Sequence, residues 1–316
     1  MFAAYAARID DADPLSALVT GEVPDPAPPA DWAVVDVVAS ALNHHDLWSL
    51  RGVGLSADSL PMILGCDGAG RDQEGNDVVI YPVVADPATG RTSVLSEQFD
   101  GTLAEKVAVP SASLVPKPAE LSFAEVACLP TAWLTAYRML VTCGQVTEGS
   151  TVLVQGAGGG VATAAIAIGA ALGATVYATS RDVAKRERAA ALGAIGLESG
   201  ARLPQRVDCV IETVGAATFD HSQKSLKPYG RLVVSGATSG HLPTLDLRRL
   251  FAYNISVLGT SMGTPEELAA LLDLCARTGL RPIIDSTFPL SKVRDAFAHL
   301  HAGEVFGKII IENDRL

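Results

Sequence analysis

From residue 151 onward, short apolar runs alternate with longer segments of helical periodicity. Thr151-Val-Leu-Val-Gln155 predicts a buried strand, and Val161 to Leu172 an Ala-rich helix. Thr175-Val-Tyr-Ala-Thr179 predicts a second strand, followed by a charged helix from Val183 to Leu192. Further apolar runs fall at Val207 to Thr213, Arg231 to Ser235 and Ile255 to Leu258, before a helix from Pro265 to about Thr278. Strands alternating with helices specify parallel βαβ units, hence an α/β doubly wound parallel sheet. The first 122 residues read differently. They are rich in Pro and Val, with β-like runs at Trp32 to Val38 and Asp77 to Tyr81 separated by turn residues. That pattern predicts an irregular β-rich unit, with Pro116 and Pro118 at its boundary. The chain closes with a strand-like segment from Pro282 to Phe288, a helix around Lys292 to His301, and a strand, Lys308-Ile-Ile-Ile-Glu312.

The sharpest local signal is Val152-Leu-Val-Gln-Gly-Ala-Gly-Gly-Gly-Val-Ala162, where a buried strand runs directly into glycines and then a helix. A backbone free of side chains turns sharply there and brings N–H groups against a pyrophosphate at the helix N-terminus. Strict G-x-G-x-x-G spacing is not met. Read from Ala157 the spacing is A-x-G-x-x-A, with Ala162 at the close-packing position. Tight glycine turns without ligands are common, but one between strand and helix inside a βαβ repeat points to a nucleotide site.

Charge sharpens this picture. Against 24 Lys plus Arg stand 35 Asp plus Glu, a net of −11 at pH 7, which disfavours nucleic acid or an anionic membrane as partner. Within that acidic chain, the second strand ends in Ser180-Arg181, and Lys185, Arg186 and Arg188 follow. A hydroxyl and a guanidinium at that tip suit a ribose 2′-phosphate, which favours NADP(H) over NAD(H). Asp182 either binds the ribose instead or caps the next helix. Lys185 to Arg188 also read simply as a solvated helix face, the better reading for Arg188. At 48% hydrophobic residues the 316-residue chain has ample core for two domains. No uninterrupted apolar run reaches the roughly 18 residues of a membrane span, and Met1 to Tyr5 carry no secretory pattern, so a cytoplasmic protein is expected. Cys66, Cys128, Cys143, Cys209 and Cys275 are odd in number and lack the short spacings of metal clusters, so reduced thiols are expected.

The whole chain resembles the medium-chain dehydrogenase/reductase superfamily, in its zinc-independent, quinone-oxidoreductase-like branch. The segments carrying the resemblance are Ala41 to Leu47, Leu64-Gly-Cys-Asp-Gly-Ala-Gly70, Asp100 to Pro110, Trp133 to Tyr137, Gln155 to Ala162 and Ile211 to Gly215. Gly230 to Thr238, Leu258 to Met262 and Phe306-Gly-Lys-Ile-Ile310 continue it in the family's order over nearly the full length. The resemblance implies a discontinuous GroES-like catalytic domain, residues 1–122 and 279–316, around a Rossmann NADP(H)-binding domain, residues 123–278. It also implies a cleft between them where nicotinamide meets substrate, and a homodimer formed through the strand near Ile255 to Leu258.

Residue by residue, the resemblance puts Asn43 beside the nicotinamide ribose and Thr135 on the nicotinamide side. Gly158, Gly159, Gly160 and Val161 would approach the pyrophosphate, and Ser180, Arg181 and Lys185 would hold the 2′-phosphate. Val214, Gly236, Ala237 and Met262 would line the path from adenosine to nicotinamide, with Lys308 near the cleft. Asp46 is expected to cap or orient the Asn43 segment, while Tyr81 and Trp48 either shape the substrate pocket or simply pack.

Zinc is not expected. In zinc-dependent members Cys stands where this chain has Asn43, and a His-Glu pair where it has Cys66-Asp67. Neutral Asn is a poor zinc ligand, and the four close cysteines of a structural-zinc lobe are missing between Tyr81 and Pro110. His44 and His45, read on an extended segment, would point to opposite faces and share no metal. Cys66 reads as a small buried residue, not a nucleophile. Without a Lewis acid, an isolated ketone or alcohol is hard to activate, whereas a conjugated acceptor spreads the developing charge. The expected reaction is therefore hydride transfer from NADPH to a quinone or α,β-unsaturated carbonyl. Tyr81, His44, His45 and water are all open as proton donors. Two alternatives stand beside this reading: a zinc-type alcohol dehydrogenase with atypical ligands, and a non-catalytic NADP(H)-binding protein. The short Arg71 to Asp77 connection and the long Pro82 to Gly101 region depart from the family pattern at the substrate entrance, so specificity does not carry over.

Overall fold

A computed structural model describes residues 1–86 and 89–315. The chain forms two compact units, one of Met1–Thr131, Leu268–Arg277 and Ile284–Leu316, the other of Ala132–Glu267 and Thr278–Ile283.

The first unit is built around strand Trp32–Ala41, which has a partner on each side. On one flank Asp67–Asp72 pairs with it antiparallel, continued by Asp77–Ile80 and Leu114–Pro116. On the other, Lys308–Glu312 pairs antiparallel, with Ile284–Pro289 parallel beyond it. Lys106–Pro110 joins the same central strand nearer its start. A smaller antiparallel sheet orders Leu18–Glu22, Phe2–Ala6 and Met62–Ile63. Two larger apolar clusters fill much of the unit. One gathers Leu42, Leu47, Leu50, Leu64, Phe297 and Ile309, and the other Val35, Val37, Cys66, Ile80 and Val107. Each fully buried aliphatic or aromatic side chain contributes roughly 1.5–3 kcal/mol relative to exposure.

The second unit holds a six-stranded, all-parallel sheet. Its order is Ala194–Glu198, Thr175–Ser180, Thr151–Val154, Val207–Glu212, Leu226–Val234, Ser256–Gly259. In chain order this is 3-2-1-4-5-6, the doubly wound arrangement in which ligands bind beyond the carboxyl ends of the strands. Thr151–Val154 is buried at all four positions, and helix Gly160–Ala171 is buried along most of its length because Ala, Ile and Gly let it lie close to the sheet. The predicted strands and helices appear here within a residue or a few at most ends.

Three elements of this sheet and its cover carry weak sequence signals and were not expected. Strand Ala194–Glu198 is short, carries a glycine and sits at the sheet edge. Helices Phe219–Ser225 and Leu247–Ala252 have only 7 and 6 residues, too few for periodicity to speak. One further expectation is corrected. His44 and His45 do not lie on an extended segment but open helix His44–Leu50. Asn43 and Asp46 supply an N-cap residue and an acidic third position, a start signal that favours helix over strand. Among the described residues, no helix is long and apolar enough to cross a membrane.

Candidate active site

In the second unit, Gly158 to Val161, Ser180, Arg181, Val214, Gly236 and Ala237 lie at or just beyond the carboxyl ends of four strands, whereas Lys185 and Thr135 lie on helices and Met262 follows edge strand Ser256–Gly259. Gly156 adopts φ +79°, which an L side chain disfavours, and this turns the chain out of strand Thr151–Val154. At Gly158 a Cβ would stand 2.9 Å from Lys185 Cδ, so the Lys185 side chain lies close over the turn and would have to shift for a larger residue. The sequence reading places Lys185 at the 2′-phosphate and does not foresee this contact with the glycine turn. Asp182 caps helix Val183–Ala191, accepting from the N–H of Ala184 (2.8 Å) and Lys185 (3.3 Å). Arg186 Nη1 donates to the carbonyls of Ser180 (2.7 Å) and Arg181 (3.3 Å), which pins the tip that carries both residues. Of the two readings for Asp182, the cap is the one the geometry adopts.

Behind that edge lies a buried polar network that the sequence did not disclose. Thr179 Oγ1 donates to Gln155 Oε1 (2.7 Å), and Gln155 Nε2 donates to Ser222 Oγ (2.9 Å) and faces His221 Nδ1 (2.9 Å). His221 Nε2 lies 2.9 Å from the Ala201 carbonyl, which fits a neutral ring with its proton on Nε2. Ser222 in turn donates to Glu212, a carboxylate with no solvent exposure. Glu212 also accepts from the N–H groups of Val214 (2.8 Å) and Gly215 (3.0 Å) and from Thr218 Oγ1 (2.9 Å). Val214 is therefore set by its backbone, and Ser235 N–H donates to the Glu212 carbonyl just before Gly236 and Ala237. The one available sequence signal was an acid ending the apolar strand Val207–Glu212.

Met262 stands at φ +35°, a strained conformation for a residue with a side chain. The segment around it is clamped. Arg138 donates to Thr260 Oγ1 (3.1 Å) and Glu267 Oε2 (2.6 Å), Thr142 donates to Glu267 Oε1, and Thr264 N–H donates to Glu267 Oε2 (2.8 Å). Thr135 is buried on helix Leu134–Tyr137, three residues before Arg138.

In the first unit, sheet register assembles a second cluster. Ala41 pairs with Asp67 on one side and Ile310 on the other, and Leu42 N–H donates to Ile309 O at 2.9 Å. The side chains of Asp67 and Lys308 consequently flank Asn43 where the central strand ends. Lys308 Nζ donates to Leu42 O (2.8 Å), Asn43 Oδ1 (2.7 Å) and Asp67 Oδ2 (2.9 Å). Asn43 Nδ2 donates to Asp67 Oδ2 (2.9 Å) and lies 3.5 Å from Cys66 Sγ. These partners fix the Asn43 amide with its oxygen toward the ammonium. Lys308 is 2% exposed and Asp67 fully buried. Asp46 reaches back to Asn43 N–H (2.7 Å) and across to Gly65 N–H (3.2 Å), the orienting role expected of it. Burial pushes the Asp46 carboxyl above its usual range, against the opposing pull of His45 and the Asn43 N–H. Burial, with the Asp46 and Asp67 charges, likewise pushes the Cys66 thiol well up.

His45 is half-buried, with Nε2 2.9 Å from Glu97 Oε1 and Nδ1 3.3 Å from Ser49 Oγ. Burial opposes its charge, but the Glu97 hydrogen bond and the Asp46, Glu97 and Asp67 carboxylates outweigh that and raise its pKa. His44 is exposed. Trp48 is 37% exposed, and Tyr81 is half-buried with its N–H bonded to Ser113 O (2.8 Å). Asn43, Asp46 and Lys308 share one hydrogen-bonded cluster directly. Among the described residues, His45, Asp46 and Cys66 bring metal-capable atoms within 4.8 Å of one another.

Residues 172–311 match the family described as zinc-binding dehydrogenase, and residues 29–119 that of the alcohol dehydrogenase GroES-like domain. The chain is 32% identical to the 2-methylene-furan-3-one reductase of Solanum lycopersicum, over 89% of this chain and 71% of that one. Among solved structures it is similar to an NAD-dependent alcohol dehydrogenase, at TM-score 0.89 and 32% identity over 99% of both chains. It is also similar to the 2-octenoyl-CoA carboxylase reductase CinF in complex with NADP and 2-octenoyl-CoA. There the TM-score is 0.89 and identity 25%, over 99% of this chain and 87% of that one.

Proposed function

As the chain belongs to the medium-chain dehydrogenase/reductase superfamily, in its quinone-oxidoreductase-like branch, we propose that it transfers hydride from NADPH to an α,β-unsaturated carbonyl or a quinone without zinc. It is an oxidoreductase. The observation that carries the zinc-free reading is the Asn43–Asp67–Lys308 cluster. Its donors are engaged with one another, and an ammonium stands among them where a metal would need anionic or neutral ligands. The nearby His45, Asp46 and Cys66 fit zinc poorly. Both Asp46 oxygens accept N–H groups, and both His45 nitrogens have partners.

NADPH, when bound, supplies the hydride. The protein's part is to hold it. Ser180 and Arg181, with Asp182 committed to its cap, leave the strand tip suited to a 2′-phosphate. Backbone N–H groups of Gly158, Gly159, Gly160 and Val161 at the helix N-terminus suit the pyrophosphate, with the Lys185 stem laid over the turn. By the resemblance, Val214, Gly236, Ala237, Met262 and Thr135 would line the remaining path, and Asn43, fixed by Lys308 and Asp46, would stand beside the nicotinamide ribose. Tyr81 borders the acceptor. The enone-reducing and enoyl-CoA-reducing relatives support a conjugated acceptor. The catalytic domain would span 1–122 and 279–316 and the nucleotide domain 123–278, although 123–131, 268–277 and 279–283 group with the opposite compact unit. Two chains pair through edge strand Ser256–Gly259, near which Phe251 and Val257 are exposed.

The His45–Asp46–Cys66 group and the zinc-binding family description favour a second reading, a zinc-type dehydrogenase with atypical ligands. One assay separates the two. Chelator-treated protein is offered NADPH with enones, quinones and simple ketones. Turnover confined to conjugated acceptors and unaffected by chelation supports the proposal; ketone reduction restored only by zinc refutes it, and tight NADPH binding without any turnover refutes both.

A further inference from the structure

The first unit carries a lysine at the start of a strand that otherwise reads Ile-Ile-Ile-Glu, and it buries that lysine almost completely. A buried ammonium normally sheds its proton or finds acceptors for all three hydrogens. Here three acceptors of three kinds surround Nζ at 2.7–2.9 Å: the Leu42 carbonyl, the Asn43 amide oxygen and the Asp67 carboxylate. Carbonyl, amide and carboxylate oxygens are also what a hard divalent cation selects. The cradle is set by the backbone, because register brings Asp67, Leu42 and Lys308 to the end of strand Trp32–Ala41 from both neighbours. A second feature marks the same spot. Asp67 Oδ1 is buried with no hydrogen-bond partner, so this carboxylate depends on the ammonium for compensation.

We propose that the Lys308 ammonium is the resident cation of this centre, standing in the oxygen cradle that would otherwise take a divalent metal, so that the protein closes its own site to metal. This rests on the zinc-free reading above and says what enforces it. Removing the ammonium leaves Asp67 uncompensated beside the Asn43 amide oxygen and the Leu42 carbonyl, a set of three oxygens. Such a set attracts a metal that the parent chain rejects. The same substitution also frees the Asn43 amide oxygen, so the orientation of that amide, as well as the charge, is under the control of Lys308.

The test is cobalt(II) titration of the chelator-treated full-length protein, read by bound metal per chain and by the visible absorption of cobalt. The proposal expects no stoichiometric uptake by the parent chain. It expects one cobalt per chain in Lys308→Ala, bound at least tenfold more tightly, and loss of that uptake in Lys308→Ala/Asp67→Asn. Lys308→Met, which keeps the bulk, serves if the alanine variant does not fold, with the same gain expected. Uptake by either variant no stronger than in the parent overturns the proposal, as does gain that survives loss of the Asp67 charge. NADPH oxidation with an enone, followed on the same chelated parent protein, separates the two levels. Retained turnover with no gain of metal in the variants sinks this inference alone, while turnover lost on chelation sinks the zinc-free reading beneath it.

Discussion

Each unit buries a carboxylate with no solvent exposure at the end of a strand, Asp67 in one and Glu212 in the other, and the two are compensated in opposite ways. Asp67 faces a full positive charge, Lys308 Nζ at 2.9 Å, with one oxygen left unpartnered. Glu212 faces only dipoles, two backbone N–H groups and two hydroxyls. The difference follows what each carboxylate does for its neighbours. Glu212 shapes backbone, because the N–H groups it holds are those of Val214 and Gly215 beside the nucleotide edge. Asp67 holds charge and a side-chain amide, those of Lys308 and Asn43. A dipole cage keeps most of its contacts when one donor is removed, whereas an ion pair is lost whole when either partner goes.

Breaking the charged side has the larger effect. Lys308→Met leaves Asp67 buried without a counter-ion and should lower stability by about 3–5 kcal/mol in urea unfolding. Glu212→Ala is expected to be milder, roughly 2–3 kcal/mol, since it strands N–H and hydroxyl groups but no opposite charge. It should also weaken NADPH binding more than kcat, because the Val214 to Gly215 backbone loses its hold. A smaller effect sharpens the assignment of the nucleotide edge. Arg181→Ala should cut the preference for NADPH over NADH roughly tenfold, about 1.4 kcal/mol, in kcat/KM, leaving NADH rates nearly unchanged. An equal loss with both cofactors would remove the guanidinium from the 2′-phosphate.

The smallest effect concerns the half-buried pair that borders the charged cluster. His45 has a raised pKa and Glu97 a lowered one, the Glu97 shift caused first by its hydrogen bond to His45. The ion pair contributes stability at pH below the unfolded histidine pKa and loses it as pH rises through the raised folded value. On the acid side it is lost as pH falls through the lowered Glu97 value. About 1 kcal/mol or less is expected, visible as a gain in melting temperature between those limits that His45→Gln abolishes. A melting profile identical in the parent and His45→Gln would deny the pair any role.

What was legible in the sequence follows the range of the interactions. The glycine turn, the parallel strands and the Ser180–Arg181 tip are written in consecutive residues, and each appears where periodicity put it. Helix His44–Leu50 has a local start signal in Asn43 and Asp46, whereas the paired histidines taken by themselves suit an extended segment equally well. The Asp67–Lys308 contact spans 241 residues and exists only through the register of a common neighbour strand, which no local pattern encodes. Resemblance brought Asn43 and Lys308 to notice as cofactor neighbours. The geometry adds that Lys308 has its three donors engaged within the first unit, on Leu42, Asn43 and Asp67. The Gln155–Glu212 network was hidden for the same reason, being assembled from three strands and a short helix.

The most direct test of the central claim is to follow deuterium from NADPH labelled at the transferring position, with a chelator-treated protein and an acyclic enone. The account predicts turnover undiminished by chelation and deuterium at the β-carbon of a saturated ketone. Deuterium at the carbonyl carbon of an allylic alcohol, formed only when zinc is returned, would contradict it.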